Sequence, residues 1–115
     1  MEHDRLLSML GICRKAGHLV LGADAAAQAV HKGIVHIVLL TQDLSRRSEE
    51  KIASAAAHKS LRVLKVPISM DDIGALTGKT SGIIAITDKG LADAVESRIG
   101  GDEDNKRPTN EEGTI

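Results

Sequence analysis

Leu6 to Gly22 reads LLSMLGICRKAGHLVLG, and the order of its parts decides the fold. An apolar helix face comes first, then the basic pair Arg14 and Lys15, a glycine stop at Gly17, a short apolar strand and a second glycine. Leu6, Leu7, Leu10, Cys13 and Arg14 follow the spacing of one helix face, with Asp4 as the expected cap and Gly17 as the expected end. Leu19 to Leu21 then predict a strand, and Ala23, directly after Gly22, opens another helix. A strand that runs through a glycine into a helix start leaves backbone N–H groups pointing outward, which suits phosphates and other anions.

The same alternation continues along the chain. Ala23 to Lys32 predicts a helix with small residues against a sheet, stopped by Gly33. Ile34 to Leu40, apolar except for His36, predicts a strand covered on both faces. Asp43 or Ser45 starts a third helix that reaches about Lys59. Leu61 to Val66 forms the next strand, ended by Pro67, and a short helix follows from Met70 to Leu76. Ile83 to Ile86 is the last strand, and Asp88 caps a final helix carrying Leu91, Val95 and Ile99. Strands alternating with helices argue for an α/β fold with a sheet held between helices. After Ile99 the periodicity stops, so residues 1–99 are expected to form one domain and residues 100–115 a disordered acidic tail.

Composition narrows the chemistry. The 115 residues include no Phe, Trp or Tyr, so Leu, Ile, Val and Ala must fill the core, and base stacking on aromatic platforms is excluded. The net charge is −1 overall. Asp102, Glu103, Asp104, Glu111 and Glu112 against Lys106 and Arg107 put the acidity at the end and leave a weakly basic body. That balance permits a nucleic-acid partner without requiring one. The single cysteine, Cys13, falls on an apolar helix face. With no leader segment or membrane-length apolar run, it points to a cytoplasmic protein without membrane attachment.

Four stretches compete for a functional role. In Gly22-Ala23-Asp24-Ala25-Ala26-Ala27-Gln28, free amides with Asp24 and Gln28 can meet nucleobase edges or phosphates, while the plainer reading makes Asp24 an ordinary helix cap. Thr77-Gly78-Lys79-Thr80-Ser81-Gly82 invites comparison with a Walker phosphate loop. Gly74 and Gly78 have only three residues between them where that motif needs four, and a strand follows the lysine instead of a helix. A flexible basic loop is what remains. His3, His18, His31, His36 and His58 have no metal-ligand spacing, and Cys13 has no base near it in sequence. No catalytic constellation, metal site, cofactor or small-molecule substrate is expected. Arg46, Arg47, Glu49, Glu50 and Lys51 alternate in sign as a solvated helix face does, with Arg46–Glu50 a helpful pair and Arg47–Lys51 an unhelpful one.

LLSMLGICRKAGHLVLG, ADAAAQAVHKG, IVHIVLLTQD and GKTSGIIAITDKG, in this order, resemble the kink-turn RNA-binding ribosomal-protein superfamily (L-seven-Ae and L-thirty-e), most closely its bacterial YlxQ-like branch. The resemblance covers about residues 4 to 99. It implies a three-layer α/β/α sandwich around a four-stranded mixed sheet, and a cytoplasmic, non-enzymatic RNA-binding protein of ribonucleoprotein or translation machinery. Family members grip a sharply bent RNA with the helix start after the first strand and the loop before the last. Here that places Gly22, Ala23, Asp24, Gln28 and Lys32 in one jaw and Lys79, Thr80, Ser81, Gly82 and Ile83 in the other. The archaeal Asn-Glu-x-x-Lys signature is replaced by Asp24, Ala25 and Gln28, which removes a polar group and a cation. Those losses weaken phosphate and base contacts and leave open an alternative, a protein-interaction module that kept the fold and lost kink-turn binding.

Overall fold

The computed structural model describes residues 2–99. Among these residues five helices and four strands follow one another as α1 (Glu2–Lys15), β1 (Leu19–Leu21), α2 (Ala23–His31), β2 (Ile37–Thr41), α3 (Arg46–Ala57), β3 (Arg62–Val66), α4 (Met70–Thr77), β4 (Ile83–Ile86) and α5 (Lys89–Glu96). The strands form one sheet in the order β1-β4-β2-β3. β2 and β3 run parallel, while β4 lies antiparallel to both β1 and β2. The mixed four-stranded sheet expected from the family resemblance is the sheet observed.

Two apolar cores sandwich that sheet because β2 and β4 alternate their side chains between its faces. Ile37, Leu39, Ile84 and Ile86 pack against Leu6, Leu10 and Cys13 of α1, Ile73 of α4 and Val95 of α5. Val38, Leu40, Ile83 and Ala85 pack on the other face against Ala26, Ala29 and Val30 of α2 and Ile52 of α3. Every residue of β2 and β4 is buried, which accounts for their unbroken apolar runs. Alanines along α2 let that helix lie close to the sheet, the arrangement a core without aromatic rings demands.

Several element limits differ from the sequence reading for local reasons. α1 begins at Glu2, so Asp4 lies in the first turn, where a carboxylate suits the helix dipole, and is not the cap. β2 begins at Ile37; Ile34 is exposed, because the chain needs residues 34–36 to climb from the left-handed Gly33 (φ 76°) to the sheet. Ser45 caps α3 by accepting from the Ser48 N–H. Asp43 instead accepts from the Met70 N–H at 3.0 Å, tying the β2–α3 connection to the start of α4. α5 ends at Glu96, and Ile99 reaches the core from beyond it. The tail read over residues 100–115 lies outside the described residues.

Candidate nucleic-acid interface

Antiparallel pairing brings the C-terminal ends of β1 and β2 to the same edge as the N-terminal end of β4. The Gly22 N–H donates to the Ile83 carbonyl at 3.0 Å, and the Thr41 N–H donates to the Gly82 carbonyl at 3.0 Å. The start of α2, the β2–α3 connection and the loop before β4 therefore meet at one end of the sheet. Between them lies an open groove of about 280 Å³, lined by Ala23, Leu44, Ser48, Met70, Thr80 and Gly82 among others.

α3, α4 and α5 each have a capping side chain, from Ser45, Ser69 and Asp88. α2 has none. Its N-cap is Gly22, in the left-handed half of backbone space at φ 102° with no side-chain cap bond, so the first amides of α2 are left for an outside acceptor. Asp24 sits two residues past the cap position, inside the first turn. Its exposed carboxylate instead accepts from the Lys51 ammonium of α3 at 2.5 Å, and this bond holds Asp24 below the ordinary aspartate range. The plainer reading of Asp24 as a cap is set aside by that geometry.

Lys79 comes to the same place from the other side of the groove. A Cβ placed on Gly22 would meet the Lys79 ammonium at 3.6 Å, so this cation stands over the uncapped helix start. Its backbone is held by the turn that ends α4. Gly78 is left-handed and donates to Gly74 O, and the Lys79 N–H donates to Thr77 Oγ1 at 3.1 Å. Gly74 also lets the loop approach α4, because a Cβ there would come within 2.7 Å of Thr80 Oγ1.

The remaining residues read from the sequence separate into three groups. Thr80 is exposed beside Lys79, on the groove. Ser81 and Ile83 are buried. The Ser81 hydroxyl accepts from the Ile83 N–H at 3.3 Å and lies 3.1 Å from its carbonyl, so Ser81 shapes the loop from inside. Gly82 is required sterically, since a Cβ would lie 2.6 Å from Leu44 Cδ1 and 2.9 Å from Thr41 Oγ1. Gln28 and Lys32 are exposed further along α2. Lys32 is its C-cap residue, roughly 15 Å from Gly22 at about 1.5 Å per residue. The fold thus joins Gly22, Ala23, Asp24, Lys79 and Thr80 and leaves Lys32 at the opposite end of the helix.

Lys51 is the residue that sequence reasoning missed. Its place in a mixed-charge run resembled any solvated helix face, and only the packing of α3 beside α2 shows that it reaches Asp24. Arg46 and Glu50 do form the expected pair at 3.3 Å. A second groove, of about 430 Å³ between α1 and α5, is lined by Arg5, Ser8, Met9, Ile12, Ser97 and Arg98 and lies on the other side of the sheet. Among the described residues no group of three His, Cys, Asp or Glu side chains is placed to hold a metal ion, and no helix is long and apolar enough to cross a membrane. Cys13 is buried, and burial raises its thiol pKa.

A mixed sheet between two helical layers, with an uncapped helix start facing a glycine-bounded basic loop, defines the class of protein. A sequence model of the ribosomal protein L7Ae/L30e/S12e/Gadd45 family matches residues 4–96, and the chain belongs to that family. It is 27% identical over 96 residues to the Bacillus subtilis protein named RNA-binding protein YlxQ, a match covering 79% of this chain and 91% of the relative. Two solved structures share the fold. A Bacillus halodurans protein described as of unknown function superposes with a TM-score of 0.74 at 24% identity, covering 82% of this chain and 95% of that one. A Giardia lamblia 15.5kD RNA binding protein does so with a TM-score of 0.68 at 18% identity, covering 90% of this chain and 88% of that one.

Proposed function

We propose that this chain is a non-enzymatic RNA-binding protein that grips a sharply bent, kink-turn-like RNA and works in the cytoplasm with the ribosome or the translation machinery. One juxtaposition carries the reading: the uncapped start of α2 with the Lys79 ammonium standing over Gly22. Backbone amides and a lysine offer hydrogen bonds and positive charge to phosphate oxygens without reading sequence. Specificity then comes from the shape of the strand that fits between the α2 start and Thr80 to Gly82. Family membership and the name of the Bacillus subtilis relative support the same class of partner.

In this reading Gly22, Ala23 and Asp24 form one jaw and Lys79 and Thr80 the other, with Ser81, Gly82 and Ile83 giving the second jaw its shape. Gln28 and Lys32 meet the RNA only where it continues along α2. Filter-binding titrations of a kink-turn RNA at two salt concentrations test this. Lys79→Ala is expected to weaken binding and to reduce the slope of log affinity against log salt by about 1. Unchanged affinity and slope in Lys79→Ala, and in Lys79→Ala with Lys32→Ala, would sink the assignment. A stable protein complex that survives ribonuclease, with no RNA recovered from untreated samples, would favour the protein-interaction alternative.

A further inference from the structure

We propose that Lys51 of α3 is a third cationic contact to the RNA backbone and that Asp24 serves to position it, an inference that rests on the RNA-binding reading above. The Lys51 ammonium lies 2.5 Å from Asp24 Oδ1, and both side chains are largely exposed, at 56% and 84%. α2 and α3 run side by side in the same direction. This pair joins the start of α2 to the middle of α3, and past the end of α3 the Lys59 ammonium lies 3.5 Å from the carbonyl of His31, the last residue of α2. Lys51 therefore stands beside the uncapped end of α2, the end over which Lys79 also stands.

The chemistry of the pair favours positioning over base reading. An ammonium has three N–H donors, and one bond to Asp24 leaves the others for phosphate oxygens. A carboxylate alone beside a phosphate would repel it, but here Asp24 is neutralised by the cation it holds. An exposed ion pair adds little to stability, so what Asp24 contributes is a modest bias of the Lys51 ammonium toward the α2 start. Gln28, the next residue along the same ridge of α2, carries no charge. The positive charge beside Asp24 is therefore supplied by the neighbouring helix.

The test uses the full chain and a kink-turn RNA, with an unbent duplex of equal length for comparison, across a range of salt concentrations. Lys51→Ala is expected to weaken binding of the kink-turn by roughly fivefold at low salt and to reduce the salt slope by about 1. Lys51→Arg should retain both. Asp24→Ala should weaken binding by roughly twofold, and Asp24→Ala with Lys51→Ala should bind no worse than Lys51→Ala alone, because a positioning residue has nothing to position once the lysine is gone. Lys89→Ala is the control. Lys89 begins α5, beyond the opposite end of β4, and its substitution should change neither quantity.

If Lys51→Ala binds as the wild type does while Lys79→Ala loses affinity and slope, the Lys51 contact is overturned and the RNA-binding reading stands. If Asp24→Ala weakens binding just as strongly in the Lys51→Ala background, Asp24 contacts the RNA itself and the positioning role is overturned. A wild-type chain that binds neither RNA overturns both readings.

Discussion

Gly82 is held to its identity by neighbours on two sides. A Cβ there would press on Leu44 Cδ1, which can swing away, and on Thr41 Oγ1 at 2.9 Å, which is fixed on a β-branched side chain in a buried strand. Gly82→Ala is expected to lose about 1–3 kcal/mol of stability, as overpacking does, seen as a lower urea midpoint. The Thr41 hydroxyl is buried without a hydrogen-bond partner, and an unsatisfied buried hydroxyl is costly. Thr41→Val keeps the shape and removes the polar atom, so its urea midpoint should equal or exceed that of the wild type. Asp24 supplies a pH prediction of known sign. Its carboxyl is held low by the hydrogen bond from Lys51, so the pair's small stabilisation is present above the ordinary aspartate pKa and lost as pH falls through the depressed one. Carboxyl NMR titration should place the Asp24 midpoint below that of an unpaired aspartate, and Lys51→Ala should return it to the ordinary range.

At the scale of elements, helix starts divide by purpose. α4 has a full capping box, with Ser69 accepting from the Asp72 N–H and Asp72 accepting from the Ser69 N–H, and Asp43 adds a tie to Met70. Ser69→Ala is expected to cost about 1 kcal/mol, measured by urea denaturation. α2 has no such device, and its missing cap is the element-level feature on which the proposed interface depends. These differences were partly legible. Asp88 before α5, Ser45 before α3 and Gly33 after α2 were readable because capping and stopping are local chemistry. Asp43 was ambiguous with Ser45 because both types cap helices, and only the approach of α4 shows that Asp43 serves a different helix. Asp4 misled in the same way, since a carboxylate suits a helix's first turn as well as its cap.

For the whole molecule, the two cores share one sheet, so damage to either face should be felt throughout. Ile84→Ala, in the middle of β4 and completely buried, is expected to cost about 2–5 kcal/mol while unfolding stays a single transition, as circular dichroism in urea would report. The alternation of helices and strands, the unbroken apolar runs of β2 and β4 and the glycine between β1 and α2 are written in the chain itself. Periodicity and backbone permissiveness depend on neighbours a few residues away, and these alone dictate the α/β class. Which surface residues meet is another matter. Lys79 over Gly22, Lys51 on Asp24, Ser81 turned inward and Lys32 left at the far end of α2 were settled only by strand order and helix packing, because those contacts join residues whose separation along the chain carries no local signal.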